Sequence, residues 1–268
     1  MTLLAAALLG LVQGITEFLP VSSTAHVLLI SEAIGYEDPG GVFTVMIQLG
    51  SILAVAWVYR LKIINMIMGL STRPEARHFA AAIVVATIPA LVAGAFLADY
   101  VKGVLYESPR VWAIAFIVGG VVMLLLDRRS AAPAVERAEE TPLPRALAVG
   151  VCQSLALIPG VSRSGATIIG GIAAGLSRTA AAEFSFFVAM PTMSAAFAHD
   201  LLDIAGQLSP ARSLEIAVGL VMAFLSSLLV IKPFLAFVGR SGWAPFAWYR
   251  IALGAGLLVA IGTGWVRA

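Results

Sequence analysis

The sequence predicts an all-α polytopic membrane protein: about six transmembrane helices plus two re-entrant helix–loop–helix hairpins, arranged as an inverted-topology repeat. Three observations predict it. Of 268 residues, 60% are hydrophobic and only 12% charged, with a mean hydropathy of +0.97; soluble domains carry roughly 25% charged residues. Six apolar runs approach the length that crosses a bilayer. Two further apolar stretches are interrupted in the middle by proline and polar residues, and those interruptions look alike.

The first three spans are expected at residues 42–59, 79–98 and 111–126, and the last three at 184–198, 214–231 and 251–266. At 1.5 Å per residue, roughly 20 residues cross the hydrocarbon core, so several of these runs sit near the lower limit and their ends are approximate. Between the two sets lies DRRSAAPAVERAEETPLPR (127–145), a polar linker rich in Pro, Ala and charge. The opening MTLLAAALLG has no Lys or Arg before its apolar run. It is a poor match to a signal peptide and is expected to belong to the membrane domain. The whole chain, 1–268, reads as one such domain.

The two interrupted stretches are 3–34, broken around Pro20, and 146–176, broken at Pro159-Gly160 and the Ser-Arg-Ser that follows. Their arms are too short to span singly. Irregular backbone at membrane depth survives only when buried in protein or lining a wet cavity, so re-entrant hairpins fit better than single kinked spans. At a fixed offset of 140, Gly10 matches Gly150, Gln13 matches Gln153, Val21 matches Val161 and Ser22 matches Ser162. An internal duplication follows, with residues 1–126 as the first repeat, 127–145 as a linker and 146–268 as the second repeat.

Loop charge sets the orientation. Residues 60–78 carry Arg60, Lys62, Arg73 and Arg77 against Glu75, and residues 232–250 carry Lys232, Arg240 and Arg250 with no acid. Residues 26–41 carry Glu32, Glu37 and Asp38, and residues 199–213 carry Asp200, Asp203 and Arg212. The positive-inside rule puts the first two segments and the basic linker in the cytoplasm, and the last two outside. With three spans per half, the second half then runs opposite to the first, a layout whose binding site lies where the repeats meet.

The chemistry concentrates at the two breaks. Gln13 and Glu17 are four residues apart, so a helix stacks them on one face, and an ionisable group inside a membrane segment is costly enough to mark function. Ser22, Ser23 and Thr24 precede an apolar run as N-cap residues do, and Ser162, Arg163, Ser164 and Thr167 open a second helix in the same way. Helix starts present free N–H groups that suit phosphate, and Arg163 adds a planar fork for phosphate oxygens. His26 has the side chain with a pKa nearest neutrality and suits general acid/base work. His78 and His199 sit at loop ends and receive no role. No His/Cys cluster has zinc spacing. A carboxylate beside phosphate oxygens instead suits Mg²⁺ or Ca²⁺. The single cysteine, Cys152, excludes an internal disulfide, and a net charge of +2 without a basic aromatic patch gives no sign of a nucleic-acid partner. The residues therefore read as a membrane-embedded site for a phosphorylated lipid, with binding alone or phosphate hydrolysis both open, and the oligomeric state open as well, a homodimer included.

QGITEFLPVSSTAH (13–26) and PGVSRSGAT (159–167) resemble the two signature motifs of the bacitracin-resistance family of undecaprenyl-diphosphate phosphatases. FTVMIQLGSILAV (43–55) and EFSFFVAMP (183–191) are similar to that family too, so the likeness covers most of the chain. The resemblance implies hydrolysis of a polyprenyl diphosphate to the monophosphate and phosphate. That reaction recycles the lipid carrier of peptidoglycan precursors, at a site on the outer face of the bacterial cell membrane that uses a divalent cation. Carried over by position, Glu17 would hold the metal or help activate the attacking group. Ser23 would be nucleophile or phosphate ligand, His26 the general acid/base and Arg163 the pyrophosphate clamp. Ser162, Ser164 and Thr167 would line the phosphate pocket. The family motif begins with Glu or Gln; Gln13 here removes one carboxylate, so a metal would rest mainly on Glu17. The type-2 phosphatidic-acid phosphatase pattern expects a His where Ile169 stands, and a lipid-phosphate flippase remains the alternative that an inverted repeat permits.

Overall fold

The computed structural model describes residues 3–38, 41–105, 108–127, 132–204 and 210–265. These are helical nearly throughout, in the order α1 (Leu3–Thr16), α2 (Ser23–Ile34), α3 (Val42–Val58), α4 (Arg60–Gly69), α5 (Pro74–Tyr100), α6 (Pro109–Asp127), α7 (Leu143–Ser154), α8 (Arg163–Ala173), α9 (Arg178–Ile204), α10 (Pro210–Ser241) and α11 (Ala244–Gly262). Among the described residues, α5, α6, α9, α10 and α11 are long and apolar enough to cross a membrane. A sixth crossing is α3, if its bent continuation α4 is counted with it; the two meet at 70°.

Each expected span therefore lies in a helix, with shifted ends. The helices of the second to fifth spans outrun their apolar runs at both ends, because a helix satisfies its own backbone and can continue past the hydrocarbon edge. The exceptions are α3, which ends at Val58 where α4 turns away, and α11, which begins at Ala244 and ends at Gly262. Residue 266, where the last span was expected to end, lies outside the described residues, as do 128–131 of the polar linker and 205–209 of the 199–213 segment. One expectation fails outright: Arg250, counted with the basic 232–250 connection, is fully buried inside α11.

The two broken segments are helix pairs, α1–α2 and α7–α8, whose arms pack against one another. Arms of 14, 12, 12 and 11 residues reach about 16–21 Å at 1.5 Å per residue, well short of a ~30 Å core. After each pair come the spanning helices of that half, so element order recurs: α1–α2 then α3, α5, α6, and α7–α8 then α9, α10, α11. Packing follows the same exchange. The first arm of each pair lies along the middle span of the other half, α1 on α10 and α7 on α5, while α3 meets α9 and α6 meets α11.

Glycine sets how near these helices come. A Cβ on Gly10 would stand 2.2 Å from the Gly219 carbonyl oxygen, and one on Gly150 would stand 2.5 Å from that of Ala86. Gly10 and Gly14 form a GxxxG pair on α1, and Gly14 faces the Ala223 carbonyl in the same way. In lipid the hydrophobic effect does not press helices together, so close backbone packing must do so. Lys62 on α4 ties the linker to α9, binding Glu139 of the linker at 2.6 Å and Glu183 of α9 at 2.8 Å, within reach of the rings of Phe79 and Phe187. Burial works to raise the Glu139 carboxyl, but the hydrogen bond and charge of Lys62 outweigh it and hold the group below its ordinary pKa.

Gly10→Ala and Gly150→Ala are each expected to lower unfolding stability in detergent by about 1–3 kcal/mol, the range for overpacking. Gly256→Ala meets nothing within 4 Å and should hold or raise it, since Ala gains ~1 kcal/mol of helix propensity over Gly. Thermal melts of the three purified variants make the comparison.

Candidate active site

Proline ends the first arm of each pair. Pro159 keeps Ile158 extended, at φ −73° and ψ 121°, and Pro20 brings no N–H to continue α1; each break closes as a short turn, Val21 N–H to Leu19 O at 2.8 Å and Val161 N–H to Ile158 O at 3.1 Å. Each chain then passes through a serine with positive φ, Ser22 at 68° and Ser162 at 73°, and these are the only non-glycine residues of that kind among the described residues. Such a backbone costs of order 1–3 kcal/mol and persists where its surroundings over-determine it. Ser162 is held by its own cap, its Oγ accepting from Gly165 N–H at 3.1 Å. Ser22 makes no side-chain cap; its carbonyl instead accepts from His26 Nδ1–H at 2.7 Å.

Immediately past the two serines stand Ser23 and Arg163, the first residues of α2 and α8, and Glu17 joins them. Its Oε2 accepts from Ser23 Oγ–H at 2.6 Å and from Gln13 Nε2–H at 2.7 Å, and its Oε1 accepts from Arg163 Nη2–H at 2.6 Å. The four side chains come from both halves of the chain and are nearly or wholly buried. Arg163 is steadied further by Nη1 to the Ser185 carbonyl at 3.3 Å, by the Ser185 hydroxyl and by Met193 Sδ. Its Nε stays buried without a partner, a charged donor left over for a ligand.

This cluster forms one end of a cavity of about 510 Å³. Ser22, Ser23, Thr24, Ser162, Arg163, Ser164 and Glu17 line its polar end. Its other walls are mostly apolar, with Leu28, Val45, Leu49, Ile52, Trp112 and Phe197, broken by Gln48, Gln153 and Thr192. On one side α5 and α9 run together around Ala86 and Val188; past Pro89 and Pro191 they face the cavity with small residues, Ala90 and Gly94 against Ala195 and Ala196.

Of the residues picked from sequence, the structure gathers Gln13, Glu17, Ser23 and Arg163 into one hydrogen-bonded group and puts Ser22, Thr24, Ser162 and Ser164 on the same cavity. Ser164 also donates to the Leu19 carbonyl at 2.8 Å, tying the second break to the first. Thr167 stands behind the site: fully buried, it bonds the Arg163 and Ser164 carbonyls and the Ser185 hydroxyl at 2.6 Å. His26 is not in the group. With Nδ1–H given to Ser22 O, a neutral ring has Nε2 as acceptor, and Tyr249 O–H fills it at 2.6 Å.

For a cation, the donor set is hard oxygen. No group of three or more His, Cys, Asp or Glu gathers among the described residues, and Glu17 is the one carboxylate among the described residues that line the cavity. Beside it Gln13 Oε1 is buried with no partner, and Gln153 Oε1, on the cavity wall, is likewise orphaned. One carboxylate, amide oxygens and the phosphates of a substrate suit Mg²⁺ or Ca²⁺; the residues fit such an ion.

The model of the bacitracin resistance protein BacA family matches residues 6–256. The chain belongs to this family. The undecaprenyl-diphosphatase 1 of Agrobacterium fabrum is 47% identical to it over 260 residues, 97% of each chain. The undecaprenyl-diphosphatase of Cereibacter sphaeroides is 46% identical over 264 residues, 98% of each. That of Acinetobacter baumannii is 49% identical over 257 residues, 95% of this chain and 94% of its own. In this BacA-family chain, sequence reasoning missed Ser185, Tyr249 and Arg250. Arg250 had a usable signal, an ionisable residue at the edge of an apolar run; Ser185, one hydroxyl in EFSFFVAMP, had none.

Thr167→Val keeps shape but strips Ser185 of a buried partner, and is expected to cost about 1–3 kcal/mol of stability. Binding of inorganic pyrophosphate, measured by calorimetry on the same protein, should change less than about twofold, because the hydroxyl lies behind Arg163 rather than on the cavity.

Proposed function

We propose that this chain hydrolyses undecaprenyl diphosphate to undecaprenyl phosphate and inorganic phosphate, recycling the carrier used for peptidoglycan synthesis and so conferring bacitracin resistance. The observation that carries the reading is the Ser23 hydroxyl donating to Glu17 at 2.6 Å while Glu17 is held by Arg163 at 2.6 Å, at the polar end of an apolar-walled cavity. A nucleophile in hydrogen-bond contact with an oriented base is the arrangement that activates a hydroxyl. The names of the relatives point the same way. A transport site has no need of such a pair.

The substrate's diphosphate would lie between the starts of α2 and α8, where free N–H groups and Arg163 offset its charge. Ser23 Oγ attacks the terminal phosphorus and its proton passes to Glu17. The bond from that phosphorus to the bridging oxygen breaks, and the electron pair leaves on the lipid monophosphate. That leaving group is weakly basic and needs no strong general acid, which agrees with a His26 whose two ring nitrogens are both engaged. Water then takes the phosphoryl group as Glu17 returns the proton to Ser23, and phosphate departs. Glu17 and Gln13 would hold a divalent cation, which supplies charge neutralisation on the phosphate oxygens.

The prenyl chain would run along the apolar walls and out between α5 and α9. The duplicated break, with Ser22 and Ser162 sharing one unusual backbone, supports the inverted repeat. The basic loops support a site open on the outer face of the cell membrane.

Purified protein should release phosphate from a long-chain polyprenyl diphosphate. Glu17→Gln and Ser23→Ala should each lower kcat by about 10²–10⁴, the span of general-base catalysis, and acid quenching of the wild type should trap phosphoserine at residue 23. Full turnover in Ser23→Ala would pass the attack to water. Separately, Gly94→Trp, in space where a Cβ meets nothing within 4 Å, should raise KM for the long chain and spare a two-isoprene diphosphate.

A further inference from the structure

Arg250 is fully buried on α11, and among the described residues none of its hydrogen bonds goes to a carboxylate. Its Nη1 donates to the Pro20 carbonyl at 2.9 Å and the Val161 carbonyl at 3.0 Å, its Nη2 to the Gly160 carbonyl at 2.9 Å and the Ala115 carbonyl at 3.1 Å, and its Nε to the Phe116 carbonyl at 3.5 Å. Pro20 belongs to the first break, Gly160 and Val161 to the second. One guanidinium thus holds both breaks, each a residue or two before the positive-φ serine that aims Ser23 or Arg163. The preceding residue grips the first break a second time, through Tyr249 to His26 to the Ser22 carbonyl.

We infer that Arg250 is a positioning residue for the reaction: it sets the distance between the Ser23 and Arg163 helix starts without touching the substrate. The chemistry requires all five of its donors. Broken backbone buried at membrane depth leaves carbonyls unsatisfied, and where transporters fill such carbonyls with a mobile cation, a cation on a side chain is fixed to a helix. An ammonium keeps the charge but has three donors on one atom and cannot reach two breaks and α6 together. The inference rests on the phosphatase reading for its readout.

Gly119 supplies a test that leaves Arg250 in place. A Cβ there would come within 2.3 Å of Arg250 Nη2 and 2.9 Å of its Cζ, and its three nearest atoms are all in that guanidinium. Gly119→Ala therefore presses first on the Arg250 guanidinium and must displace it from its carbonyls. The experiment is steady-state phosphate release from a polyprenyl diphosphate by wild type, Gly119→Ala, Arg250→Lys and the double variant, with thermal melts alongside. Gly119→Ala and Arg250→Lys are expected to lower kcat by about 10- to 100-fold, as misplacement near 1 Å does. KM should stay within about threefold, because Arg163 still binds the diphosphate. The double variant should be no slower than Arg250→Lys, since the guanidinium that the added methyl displaces is gone. A kcat in Gly119→Ala within twofold of wild type overturns the inference, as does additive loss in the double variant. If Arg250→Lys does not fold, Gly119→Ala decides alone. No phosphate release by the wild type sinks the phosphatase reading instead, and is told apart by that.

Discussion

Two stretches of backbone are broken inside an apolar protein, and their free carbonyls must find donors. That constraint governs the centre of this molecule. Water is scarce at that depth, and an unsatisfied buried polar group costs several kcal/mol. Arg250 answers most of it with one side chain, bonding Pro20, Gly160 and Val161 at once, and Ser164 adds the Leu19 carbonyl. Since the bonded carbonyls come from opposite halves of the chain, satisfying them also fixes the halves against each other. The site inherits its geometry from that repair.

The scaffold is near-symmetric while the chemistry is not. Gly10 and Gly150 seat their arms against facing backbone, and Ser22 and Ser162 share a positive φ. Gln13 and Gln153 are both buried with an orphaned amide oxygen. At the same offset, however, Ser23 stands opposite Arg163 and Glu17 opposite Leu157. Each break presents a helix start, α2 at Ser23 and α8 at Arg163. Placing a hydroxyl on one and a cation on the other makes them complementary, and a single carboxylate between them leaves the pair with a direction.

Glu17 and Arg163 form a buried ion pair at 2.6 Å. Desolvating both charges is expensive, and such pairs contribute little net stability. What the pair does here is hold both groups in place: the Glu17 carboxyl aimed at Ser23, and the Arg163 guanidinium with its Nε buried and without a partner. On the proposed reading, a diphosphate arriving at Arg163 would meet a donor set already oriented, so little reorganisation would oppose binding.

The sequence by itself determined the class and located the two breaks; it placed six spans where the described residues hold five long apolar helices, or six if α3 and its bent continuation α4 count together. Hydropathy shows through because every apolar run must cross or fill the bilayer. The breaks show through because proline, serine and arginine in a lipid phase have few structural excuses. Gln13, Glu17, Ser23 and Arg163 were legible for that reason, and their motifs carried the family. Tertiary structure alone decided which of the polar residues meet. Thr167 reads like its neighbours Ser162 and Ser164 yet supports Ser185 from behind; His26 lies near Ser23 in the chain yet faces Tyr249. Arg250 looked like a loop charge because hydropathy places a span's end at the last charged residue. Its burial depends on five carbonyls from three separate segments, and no local pattern records a partner that lies 90 or 230 residues away.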